Sequence, residues 1–100
     1  MARGIARLTE IGGGVVVAED RGVRAELPLP IAGLISDARF EEVVERSRGC
    51  IAAAAKLGCA LPSPFQTMAF LALSVIPSLK ITDRGLVDVD RFELVPLEVA

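Results

Sequence analysis

One hundred residues are enough for one small domain or a piece of a larger one. Eleven basic and 13 acidic residues leave a net charge of −2, and the basic residues are scattered, which argues against a nucleic-acid or anionic-membrane partner. Although 52% of the residues are hydrophobic and the mean hydropathy is +0.52, no run reaches the roughly 18 uncharged apolar residues of a membrane helix, and with four Phe and no Trp or Tyr a base-stacking platform is not expected.

The first eleven residues read as a short helix. Ile5, Leu8 and Ile11 recur at near-helical spacing, with Arg3, Arg7 and Glu10 on other faces. These charges also interrupt any signal-peptide pattern. Gly12, Gly13 and Gly14 end the helix, because glycine tolerates the left-handed conformation found at helix C-termini. Residues 15–18, Val-Val-Val-Ala, read as a strand covered on both faces. Residues 19–22 form a turn, and 23–27 return as the partner strand of a hairpin. Pro28 and Pro30 stop that strand, since proline cannot donate to a ladder. Residues 29–36 become an apolar loop of the kind that lies against another surface.

Ser36 or Asp37 can cap the next helix. Phe40, Val43, Val44, Ser47, Cys50, Ile51, Ala54 and Leu57 trace one of its faces at steps of three and four. Glu41, Glu42, Glu45, Arg46 and Arg48 take the other side, with Glu42 and Arg46 spaced for an i,i+4 pair. Gly58 closes the helix, and Gly49 inside it suggests close packing. Cys50 sits mid-helix and Cys59 just past its end. That separation is on the order of 12 Å, beyond the ~7 Å a disulfide spans. Both read as reduced, small core hydrophobes, as in a cytoplasmic protein.

Residues 65–76 are apolar on every side, and the pattern favours a strand over about 67–73. Residues 79–82 are a short extended piece, 83–85 a turn and 86–89 extended. Residues 92–99 form a last strand broken or edge-placed by Pro96. The expected fold is α+β, a mostly antiparallel sheet with about two helices packed on it, in a single domain.

Chemistry is scarce. There is no histidine, the commonest general base and metal ligand, and two separated cysteines make no zinc site of usual type. Asp88 and Asp90 would share a face if that stretch is extended, but charges at a turn are normally solvated. The triple glycine leads from helix into strand, the reverse of a phosphate-binding loop. Two features remain. Pro30, Ile31, Gly33, Leu34 and Ser36 belong to an irregular apolar loop suited to docking or to facing a pocket. Asp83 and Arg84 form a polar turn that can orient a ligand or stay solvated.

Residues 8–17 (LTEIGGGVVV), 27–36 (LPLPIAGLIS), 83–89 (DRGLVDV) and 92–97 (FELVPL) together resemble the C-terminal region of prokaryotic adenine deaminases. The resemblance spans essentially the whole chain. It implies a domain at the end of an amidohydrolase whose metal-dependent barrel, using Mn or Fe, converts adenine and water to hypoxanthine and ammonia in purine salvage. None of that barrel's ligands maps here, so it implies no catalytic residue, no metal site and no cofactor in this chain. It also implies a domain that starts some tens of residues earlier, with the barrel as partner. The apolar excess and unpaired sheet edges point to a homo-oligomer. The competing reading is a free-standing interaction or small-ligand-binding module derived from that domain.

Overall fold

The computed structural model describes residues 1–98, and the chain divides into two compact units, Met1–Pro62 and the segment from Ser63 onward. The architecture is α+β, with helices beside two small antiparallel sheets instead of the single sheet expected.

In the first unit, helix α1 (Ala2–Ile11) ends at Gly12, whose φ of 78° is left-handed. The N–H of Gly13 donates to the Leu8 carbonyl at 2.9 Å, closing the last turn. Strands β1 (Gly14–Glu19) and β2 (Gly22–Pro28) pair antiparallel around a two-residue turn, with a register shift between Val17 and Ala18. Val15 and Val17 lie opposite Leu27 and Ala25, so these four share one face, while Val16, Ala18 and Glu26 share the other.

Helix α1 covers the face bearing Glu26. Arg7 reaches across to it, and a Cβ on Gly4 would touch the Ala18 side chain at 3.9 Å. Helix α2 (Phe40–Lys56) packs mainly on β2 and contributes buried Cys50 and Ala54, while the hairpin contributes buried Val17 and Leu27. Only Val17 of the triple valine is buried, so the strand is less covered than its sequence suggests.

Three details of α2 depart from the sequence expectation. Its N-cap is Arg39, with extended backbone and no side-chain cap, so neither Ser36 nor Asp37 performs that role. Phe40, Ile51 and Leu57, placed on the apolar face by spacing, are exposed. A two-stranded hairpin is too narrow to cover a five-turn helix along its length. Gly49 has nothing within 4 Å of a built Cβ and permits no close packing. The Glu42–Arg46 pair forms as expected, at 3.2 Å.

In the second unit, residues 64–72 are helical: α3 (Pro64–Ala69) runs into a 3₁₀ turn (Phe70–Ala72). This corrects the strand expected over 67–73. Pro64 sits in the first turn, where its fixed φ suits a helix, and the segment holds one β-branched residue among Gln, Met, Ala and Leu. Strands β3 (Leu79–Thr82), β4 (Gly85–Asp88) and β5 (Glu93–Val95) form a meander. The last strand stops before Pro96, and Val99 of the expected strand lies outside the described residues. Val89 and Lys80 are buried in this unit.

Candidate functional site

The loop of residues 29–36 hangs from the hairpin by backbone contacts. The N–H of Leu29 donates to the Gly13 carbonyl at 3.0 Å. A Cβ on Gly13 would stand 2.9 Å from the Gly33 Cα, so two glycine backbones meet where no side chain fits. Beyond Pro30, Ile31 and Ile35 form an isolated antiparallel bridge, exchanging N–H···O bonds at 3.1 Å in both directions. The N–H of Leu34 also donates to the Ile31 carbonyl at 3.1 Å. The central pair of that turn, Ala32 and Gly33, has φ of 56° and 73°, the double positive of a type I′ turn. Ser36 then accepts the Ala38 N–H on its Oγ at 3.0 Å, steering the chain toward α2.

This framework holds its apolar side chains outward. Leu34 is 75% exposed, Ile35 58% and Ile31 49%, and Phe40 beyond the loop is 78% exposed. Behind the loop lies a cleft of about 140 Å³, with Leu27, Pro28 and Pro30 on one side and Ser36, Glu42, Val43 and Arg46 on the other. The five loop residues singled out from sequence therefore belong to one ordered element, with Ile31 and Leu34 on its surface and Gly33 at its anchor.

Asp83 and Arg84 are the two turn residues of the β3–β4 hairpin, between paired Thr82 and Gly85. Thr82 Oγ1 donates to the Gly85 carbonyl at 3.0 Å and accepts the Arg84 N–H at 3.2 Å, so the turn is pinned by its own side chain. An open depression of about 380 Å³ beside it is lined by Ser74, Glu93, Leu94 and Phe92 as well as the turn. Phe92 has a φ of 55° and is 90% exposed. Sequence reasoning missed Ser74 and Glu93, which line the same depression as the turn although they lie outside it in sequence. The loop and the polar turn belong to different units of the fold.

The strongest electrostatic feature also escaped the sequence reading. The Arg7 guanidinium donates through Nε and Nη2 to both oxygens of Glu26, at 2.7 and 2.8 Å, and through Nη1 to Glu10 at 2.9 Å. The hydrogen bonds it donates to Glu26, then to Glu10, hold Arg7 above its ordinary range, and Arg7 in turn pulls the Glu26 carboxyl below its own. Burial, seconded by Glu26, pushes the Cys50 thiol up, away from the reactive thiolate. Only the i,i+3 spacing of Arg7 and Glu10 was readable in advance. In the second unit, buried Lys80 donates its ammonium to the carbonyls of Pro77 and Leu79, both at 3.1 Å, tying the preceding loop to β3.

The donors present do not fit a catalytic metal of the type the resemblance implies. The chain has no histidine, and among the described residues no three His, Cys, Asp or Glu side chains converge. Asp90 lies beyond β4, and Asp88 Oδ1 accepts the Arg91 N–H, so these carboxylates do not share a strand face. Among the described residues, no helix is long and apolar enough to cross a membrane.

Comparison with known proteins places these elements in context. The profile of the adenine deaminase C-terminal domain matches residues 1–93. The adenine deaminase of Oleidesulfovibrio alaskensis is 61% identical over 90 residues, which is 90% of this chain and 16% of that protein. Those of Methylobacterium sp. strain 4-46 and Archaeoglobus fulgidus are 57% and 55% identical over 96 and 94 residues, each alignment covering 17% of the relative. The chain thus spans about one-sixth of the length of these curated relatives.

Proposed function

The chain belongs to the adenine deaminase C-terminal domain family, and from that premise we propose that it is the non-catalytic C-terminal part of an adenine deaminase. It supports and shapes a metal-dependent barrel carried elsewhere in the protein. The observation that carries this reading is the family match over residues 1–93, in a chain without histidine in which, among the described residues, no three His, Cys, Asp or Glu side chains converge. The reaction is hydrolytic: adenine and water give hypoxanthine and ammonia, with the exocyclic amine leaving and oxygen taking its place. A metal of the Mn or Fe type in the barrel supplies the activated water. The residues here contribute an ordered scaffold and an apolar surface. The setting is purine salvage in the cytoplasm.

Exposed apolar groups support association with further protein. Met68, Phe70, Leu71, Leu73 and Val75 are between 43% and 81% exposed. A homo-oligomer would use this segment and the free sheet edges, because the triple valine, with Val17 buried, offers less surface than its sequence suggests.

The decisive experiment pairs two proteins. The isolated chain, assayed with Mn²⁺ or Fe²⁺, should release no ammonia from adenine. A chimera in which it replaces the matching C-terminal segment of the O. alaskensis enzyme should produce hypoxanthine. Turnover by the stringently purified chain would overturn the non-catalytic reading. An inactive, folded chimera would favour a free-standing binding module.

A further inference from the structure

We propose that residues 31–35 form a rigid apolar prong, set in place by the backbone packing of Gly13 on Gly33, which inserts Leu34 into an apolar recess on the polypeptide preceding this region in its relatives. The inference rests on the reading above and names the surface and the anchor residue.

Rigidity is the first argument. Three backbone hydrogen bonds close residues 31–35 on themselves, and a fourth ties Leu29 to Gly13. Ala32, a residue with a Cβ, is held at positive φ, a conformation that persists only where surrounding structure dictates it. An ordered loop loses little entropy on binding, which is how preorganised contacts gain affinity.

Its chemistry is the second argument. From Leu27 to Ser36 the sequence carries no charge, and three aliphatic side chains on one short turn are between 49% and 75% exposed. Such a surface suits an uncharged apolar recess and rejects a polyanion or a charged peptide.

The occupant follows from length. The matching region is 16–17% of each of the three relatives above, so about five-sixths of those proteins is polypeptide joined covalently to it. Covalent attachment gives that polypeptide an effective concentration that a second copy of this chain does not reach.

Gly13 and Gly33 act as positioning residues. A Cβ at Gly13 would drive into the Gly33 backbone, displacing the prong without touching its apolar side chains. Gly22 provides the control, since its φ is 137° but nothing lies within 4 Å of a built Cβ. Gly22→Ala carries backbone strain without the clash.

Hydroxyl-radical footprinting of the chimera and of the isolated chain tests the proposal. Leu34 should be oxidised about tenfold more slowly in the chimera. Gly13→Ala should restore its reactivity toward that of the isolated chain, whereas Gly22→Ala should not. Leu34→Asp should leave the isolated chain's melting temperature unchanged and lower the chimera's, a reading that holds even if Gly13→Ala unfolds. Equal reactivity of Leu34 in both proteins, protection unmoved by a folded Gly13→Ala, or equal destabilisation of both proteins by Leu34→Asp overturns it. So does protection in the isolated chain that rises with its concentration, because the occupant is then a second copy. Adenine turnover is scored separately. An active chimera with a reactive Leu34 defeats the prong alone, and an inactive one with Leu34 protected defeats the functional reading alone.

Discussion

The two units solve the problem of a small core in different ways. The first wraps a hairpin with two helices, buries Val17, Leu27, Cys50 and Ala54, and clamps α1 to β2 through the bidentate Arg7–Glu26 pair. The second has strands of three and four residues and a six-residue helix, with Val89 and Lys80 buried while Ile81, Leu94 and Phe92 face outward. Long elements in contact can hide apolar surface between them; short ones leave most of it outside. The first unit therefore carries the 29–36 loop on packed elements, whereas the second leaves much of its apolar surface exposed.

The largest expected effect falls on the first unit's tightest backbone approach. A Cβ on Gly14 would stand 2.2 Å from the Leu27 carbonyl oxygen, at a φ of 134°. Gly14→Val should cost about 3 kcal/mol or more, through clash and strain together. Urea unfolding followed by circular dichroism reads this directly, and an unchanged midpoint would mean the hairpin tolerates a shift.

Next comes thiol reactivity. Cys50 is 1% exposed, and burial holds its pKa up, whereas Cys59 is only half-buried. Cys59 should react with a thiol reagent about a hundredfold faster than Cys50 in the folded chain, the gap closing in urea. Similar rates would show that the first unit opens readily.

In the second unit, Lys80→Met removes an ammonium from two carbonyls while keeping the apolar stem. It should cost about 1–2 kcal/mol by leaving those acceptors underused. Faster hydrogen exchange at the amides of β3 and β4 is the signature to look for.

A pH titration sharpens the contrast further. The folded pKa of Glu26 lies below 4.5, lowered chiefly by its hydrogen bond to Arg7. A depressed carboxyl contributes stability above its unfolded value and loses it as pH falls through the folded value. Stability of the first unit should therefore decline below pH 4.5, and Glu26→Gln should flatten that slope. The smallest effect is Glu42→Ala. It breaks an exposed i,i+4 pair and should change stability by less than about 0.5 kcal/mol.

Much of this was legible in the residues. Helix α1, its glycine stop, the hairpin, α2 with its Glu42–Arg46 pair, and the Asp83–Arg84 turn all follow from local rules. Periodicity, glycine at positive φ and proline without a donor act over a few residues, so the chain alone determines them. The resemblance to adenine deaminases was equally plain in short motifs read in order.

Tertiary structure decided the rest. Residues 64–72 are the exception: they carry no clear period, and local signals, Pro64 in the first turn and a single β-branched residue, make them helical. The partnering of Arg7 with Glu26 spans 19 positions, and the meeting of Gly13 with Gly33 spans 20. Neither separation has a sequence signature, because contacts between distant positions depend on how elements pack. The exposure of Phe40, Ile51 and Leu57 belongs to the same class. Spacing determines which side chains share a helix face, and only the width of what lies beneath decides how many of them are covered.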